Sequence, residues 1–164
     1  MNDLQELYQS IILEHNRNPQ NFGELPDASC SAVGYNASCG DDIRLFLKFD
    51  GDVIEDIRFF GEGCAISRAS ASLLTIAVKN QRKDHAQEIT KEMLDLLGSQ
   101  REIHDIPSRL GARMALLGVR KFPMRIKCAT LPWHALVDAL SAKKPNKLNG
   151  NVAHSSIACC RERN

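Results

Sequence analysis

The sequence has almost no charge imbalance: 21 Lys and Arg face 20 Asp and Glu, a net charge of +1. A nucleic-acid-binding domain carries a clear basic excess, so that class is excluded. No apolar run in the sequence approaches the roughly 20 residues of a membrane-spanning helix, and no membrane role is expected. There is no internal repeat. The first stretch, "MNDLQELYQSIILEHN", lacks the basic start and apolar core of a secretory leader. It reads instead as an acidic, apolar helix, and the chain is expected in the cytoplasm. In that reducing compartment the six cysteines are ligands, nucleophiles or core residues before they are disulfides. What is present is otherwise ordinary. The 164 residues, 43% hydrophobic and 25% charged, suit one domain with a real core.

Apolar periodicity divides the chain. Leu4, Leu7, Tyr8, Ile11 and Ile12 mark one face of a helix. "RNPQNFGELPD" breaks it. In "DIRLFLKF", Ile43, Leu45, Leu47 and Phe49 alternate with Asp42, Arg44, Phe46 and Lys48, which is a strand with one buried face. Asp50 and Gly51 signal a tight turn into the returning strand "VIEDIRFF". "CSAVGYNAS" supplies a third strand before them. From residue 64 the period changes to helical in "CAISRASASLLTIAVKN", "AQEITKEMLDLLG", "PSRLGARMALLGV" and "KFPMRIKCATLPWHALVDAL". Pro132 suits a first turn, so the last helix is expected to begin close behind Cys128. The stretch from Lys143 is polar and aperiodic, so the domain is set at 1–142 with a flexible tail at 143–164. Strands first and helices afterward predict an α+β fold: a small three-stranded antiparallel sheet with four to six helices on one face.

Three cysteines fall at element ends. Cys39 lies at a reversal between strands, Cys64 follows "GEG" and opens a helix, and Cys128 precedes a first turn. A helix N-terminus has free amides that favour thiolate. Cysteine is also among the residues most often buried simply as core. The spacings, 25 residues from Cys39 to Cys64 and 64 more to Cys128, match no local zinc-finger pattern. On residues alone both readings stand. Asp41 adds a little to the metal reading, because side chains two apart on extended backbone point the same way. Asp42, by the same alternation, is expected to point into solvent.

Taken together, "SCGDDI", "GEGCAISRASASLL" and "RIKCATLPW" resemble the IscU/NifU-like family of iron-sulfur cluster assembly proteins. The resemblance runs from about residue 4 to residue 140 and implies an IscU/SufE-like α+β domain. IscU-type members carry His before the third cysteine, where this chain has Lys127. They also have a shorter segment between the second and third cysteines. Both traits resemble the SufU-type branch, which works with the cysteine desulfurase SufS. That resemblance implies zinc held by Cys39, Asp41, Cys64 and Cys128, with Cys39 as sulfur acceptor. It implies as partners a SufS-like desulfurase and the apo-proteins or scaffolds that receive the sulfur. The alternative implied role is a scaffold on which a transient iron-sulfur cluster is built. A third is a structural zinc module.

Of the remaining residues, the basic cluster Arg120, Lys121, Arg125 and Lys127 is a charged face beside Cys128, with Arg125 and Lys127 the expected partner contacts. Asp41, the hardest ligand, is expected to be the one that gives way during metal exchange. "KFPMRIK" stands where IscU proteins carry a Leu-Pro-Pro-Val-Lys motif read by a chaperone, so that partner is not implied. The five histidines are expected on the surface, and Cys159 and Cys160 as exposed, reduced thiols on the tail.

Overall fold

The computed structural model describes residues 3–141 and 157–158. Helix α1 (Asp3–Arg17) leads to three antiparallel strands: β1 (Cys30–Asn36), β2 (Asp41–Asp50) and β3 (Val53–Glu62). Then follow α2 (Ala65–Val78), α3 (Lys83–Gly98), a 3₁₀ segment (Ser108–Lys121) and α4 (Pro123–Leu140). The expected α+β architecture is present, with β2 central between β1 and β3. A two-residue strand, β4 (Ile157–Ala158), adds to the outer edge of β1 opposite Ser31 and Ala32. It falls in the expected tail, whose other residues from 143 onward, Cys159 and Cys160 among them, lie outside the described residues.

The period-two pattern sets the sheet's two faces. Ile43, Leu45, Leu47, Ile57 and Phe59 are fully buried, while Asp42, Arg44 and Phe60 are exposed. A one-residue slip would turn that whole set outward, so the alternation itself fixes the register. Helices α2 and α4 cover the apolar face, and α3 and the 3₁₀ segment pack behind them. Trp133, with no exposed area, lies at the centre. Its indole N–H donates to the Ser70 hydroxyl at 3.0 Å, which donates to the Ala129 carbonyl at 2.6 Å. That chain ties α2 to α4 and satisfies a polar group the core would otherwise strand, an omission worth about 1–3 kcal/mol.

Several expectations need correction. α4 begins at Pro123, not behind Cys128. Pro123 takes the first helical position, where a missing amide loses nothing. Pro132 therefore sits inside the helix and withholds the donor that the Cys128 carbonyl would ordinarily meet. The segment expected as an α-helix around residues 107–119 is 3₁₀ and is interrupted at Gly111, whose φ of 53° and ψ of −134° are not helical. In α1, Tyr8, Ile11 and Ile12 face the body as expected, but no residue of the helix is fully buried, and Leu4 and Leu7 are exposed.

Candidate metal centre

The β1–β2 hairpin closes through residues 37–40, and Asn36 pairs directly with Asp41. The Cys39 amide donates to the Asn36 carbonyl at 3.3 Å, and Gly40 takes φ of 67°. Most side chains resist that left-handed conformation, and glycine does not. Cys39 is thus part of a turn, half-buried, and not extended backbone. The turn, instead of simple alternation, swings its sulfur back over the strand end. Asp41 is the first residue of β2 and has no exposed area, while Asp42 faces solvent as its alternation required.

Cys64 is the N-cap of α2. Its Sγ accepts the Ser67 amide at 3.5 Å, as an N-cap side chain does. Its own amide donates to Asp41 Oδ1 at 2.9 Å, and the Ser67 hydroxyl donates to the same oxygen at 2.9 Å. Asn36 Nδ2 approaches both Asp41 Oδ2, at 3.4 Å, and Cys128 Sγ, at 3.8 Å. Cys128 is fully buried in the second turn of α4, so the free amides of a helix start do not serve it. Arg125, exposed one turn earlier, places Nη1 3.8 Å from Cys39 Sγ. Lys127 is exposed as well, about 200° further round the helix.

Ligand atoms of Cys39, Asp41 and Cys128 all lie within 4.8 Å of one another. Zinc bound tetrahedrally at about 2.0–2.3 Å to sulfur and oxygen requires separations of this order. The Cys64 thiol lies outside that group. The Cys64 backbone amide, not its sulfur, is tied to the group through the bond to Asp41, and the thiol acts on Cys128 as a neighbouring charge and hydrogen-bond partner. The donor chemistry fits a thiophilic cation. A buried carboxylate beside buried thiols is unfavourable unless something positive is paired with it.

Charge in the group behaves accordingly. Burial pushes the Cys128 thiol well above its ordinary value, and Cys39, Asp41 and Cys64 push it further. The Arg125 guanidinium is raised in turn by its hydrogen bond to Cys128 and by the Cys64 and Cys39 charges. A stability prediction follows from Cys128. Without metal, the folded chain keeps the Cys128 proton, whereas the unfolded chain releases it near the ordinary thiol value of 9.0. Stability is then fully present below that value and is lost as pH rises above it. Thermal melts of metal-free protein across alkaline pH check this. A Cys128→Ala variant losing stability just as steeply would show that the thiol is not the cause.

Several site residues escaped the sequence reading. Ser67 carried a faint signal, since it stands three residues after a cap, where capping partners sit. Asn36 carried none, because its role depends on the hairpin register. The histidine expectation largely stands among the described residues: His85, His104 and His134 are exposed, but His15 is half-buried with Nδ1 2.7 Å from Ser72 Oγ.

A four-helix α+β layer that gathers thiols and a buried carboxylate at a hairpin tip defines a thiol-based metal- or sulfur-handling domain. The chain belongs to the NifU-like N terminal domain family, which matches residues 7–129. It is 46% identical over 134 residues to the zinc-dependent sulfurtransferase SufU of Bacillus subtilis strain 168, covering 82% of this chain and 89% of that one. It is 39% identical over 154 residues to the iron-sulfur cluster assembly scaffold protein IscU of Streptococcus pyogenes serotype M1, covering 94% and 91%. Among solved structures, one assigned as an iron-sulfur cluster assembly scaffold protein for the SUF system, from Fervidobacterium islandicum AW-1, superposes with a TM-score of 0.73 at 32% identity, covering 83% of this chain and 98% of that one. No helix among the described residues is long and apolar enough to cross a membrane.

Proposed function

We propose that this chain accepts sulfur from a SufS-like cysteine desulfurase at a zinc site of Cys39, Asp41, Cys64 and Cys128, and relays it into iron-sulfur cluster assembly. The observation that carries the reading is the convergence of Cys39, Asp41 and Cys128 ligand atoms within 4.8 Å. Zinc, when bound there, keeps the thiols deprotonated at neutral pH and blunts their nucleophilicity.

The three thiols are not equivalent. Cys128 is buried and Cys64 is tied into a helix cap. Cys39 is half-buried on a four-residue turn, with Arg125 beside its sulfur to stabilise a released thiolate. Its thiolate attacks the outer sulfur of the donor's persulfide. A new S–S bond forms on Cys39, the donor's S–S bond breaks, and the donor cysteine leaves as thiolate. Arg125 and Lys127 present positive charge where the donor docks.

A scaffold reading uses the same thiols to hold a nascent cluster, since thiolate suits iron as well as zinc. The likeness to a named scaffold protein supports it. Lys127, in place of the histidine that IscU-type members carry, favours transfer.

One zinc per chain is the expected content of carefully purified protein. Elemental analysis finding no zinc, or iron alone, counts against the transfer reading. Addition of the zinc-loaded protein to a SufS-like desulfurase with cysteine is expected to accelerate sulfide or alanine release. No acceleration, together with stoichiometric cluster uptake from iron and sulfide, moves the scaffold to first place.

A further inference from the structure

We infer that Ser67 is a positioning residue that locks the Asp41 carboxylate, so that a single oxygen faces the metal and the ligand cannot swing away. The inference rests on the zinc reading above and concerns how tightly the metal is held.

Ser67 has no exposed area and stands in the first turn of α2. Its hydroxyl proton has two acceptors within reach, Asp41 Oδ1 at 2.9 Å and the Cys64 carbonyl at 3.1 Å. The carboxylate is nearer and is the charge-assisted acceptor, a bond roughly twice as strong as a neutral one, so Asp41 accepts the hydroxyl's hydrogen bond. The Cys64 amide occupies the same oxygen at 2.9 Å. With Oδ1 held by two donors, Oδ2 is the oxygen left for a cation, with Asn36 Nδ2 at a long 3.4 Å beside it. Bidentate ligation is thereby closed off.

Ser67 also directs its amide at Cys64 Sγ. One residue therefore contacts a ligand on the strand and a ligand at the helix cap. Space at this point is minimal. A Cβ at Gly63 would lie 2.3 Å from Ser67 Oγ and 2.9 Å from Asp41 Oδ1. Any side chain there displaces the hydroxyl or the carboxylate, so the backbone of "GEG" is part of the lock.

Partners that hydrogen-bond a ligating carboxylate typically change metal affinity by 10–100-fold when removed, about 1.4–2.7 kcal/mol. The test uses the full chain, zinc alone as probe, and competition with a chromophoric chelator. Ser67→Ala is expected to bind zinc about 10–100-fold more weakly than wild type. Gly63→Ala removes no polar group and is expected to weaken zinc in the same direction. In an Asp41→Ala background, adding Ser67→Ala is expected to change affinity by less than about twofold, because a residue acting through Asp41 has nothing left to position. A purely structural role at the helix cap would show the same loss in both backgrounds. Wild-type affinity in Ser67→Ala overturns the inference, as does an equal loss with Asp41 absent. Should Ser67→Ala not fold, wild-type affinity in Gly63→Ala overturns it as well. A wild-type chain that takes up no zinc overturns the metal reading itself, and Ser67's role with it. That outcome is visible before any variant is made.

Discussion

Replacing Cys39 with serine is expected to reduce stimulation of a SufS-like desulfurase to background while the fold persists. The effect is all-or-none because the reaction needs one sulfur that can both bind and leave. Cys128 cannot take over, being buried in the second turn of α4. Cys64 is held at the cap by the Ser67 amide, and its own amide is anchored on Asp41. The turn carrying Cys39 is braced by backbone bonds from Cys39 to Asn36 at 3.3 Å and from Gly40 to Ala37 at 3.4 Å, both long. Weak local bonds and solvent exposure are where low-energy opening occurs. Serine keeps the size and removes the thiolate, so docking and the remaining ligands survive. A trapped persulfide is expected on Cys39. Mass spectrometry placing the extra sulfur on Cys64, Cys128 or the Cys159–Cys160 pair identifies a different acceptor. Full stimulation by Cys39→Ser removes the relay altogether.

Asp41→Ala carries the second large effect, and here the structure argues against the ranking that ligand hardness suggested. A carboxylate free to swing would be the natural ligand to give way. This one is fully buried, with Oδ1 accepting from both Cys64 and Ser67 at 2.9 Å. Its removal is expected to lower zinc affinity by more than the 10–100-fold typical of an outer partner, since a ligand is lost along with the groups it orders. Metal-free protein is expected to melt almost unchanged. Stranding two donors costs about 1–3 kcal/mol each, and deleting a buried, unpaired carboxylate returns a similar amount. Calorimetry of metal-free protein beside chelator competition separates the terms. An Asp41→Ala protein that holds zinc within a few-fold of wild type would restore Asp41 as the labile ligand.

What the sequence disclosed followed the range of the forces involved. Period-two alternation at Ile43, Leu45 and Leu47 revealed β2 and its buried face, because side-chain direction in a strand is local. "GEGC" announced a helix start, because capping is local too. Cys39, Cys64 and Cys128 could be grouped only by resemblance, since no periodic rule spans such separations. Two prolines in α4 competed for the first turn, and the pattern could not rank them. Choosing Pro132 moved Cys128 to a helix start that it does not occupy. The 3₁₀ segment shared its apolar spacing with an α-helix, and its tighter winding and its break at Gly111 are properties of the backbone that the spacing does not carry. The convergence of Ser67 and Asn36 on Asp41 joins β1, β2 and α2, and was visible only once the chain was folded.

The two glycines of "GEG" answer to different kinds of selection. At Gly61 a Cβ would fall 1.9 Å from the Asp42 carbonyl oxygen, and φ is 134°. That obstacle is backbone, so every replacement there must force β2 and β3 apart regardless of what the protein carries. At Gly63 the obstacles are side chains of the site, Ser67 and Asp41. In a library randomised at both positions, survivors sorted for soluble expression alone would keep glycine at 61 and drift at 63. Sorting the same library for growth that depends on the sulfur relay would bring glycine back at 63. The ratio of the two enrichments measures, position by position, which part of this loop is inherited for architecture and which for chemistry.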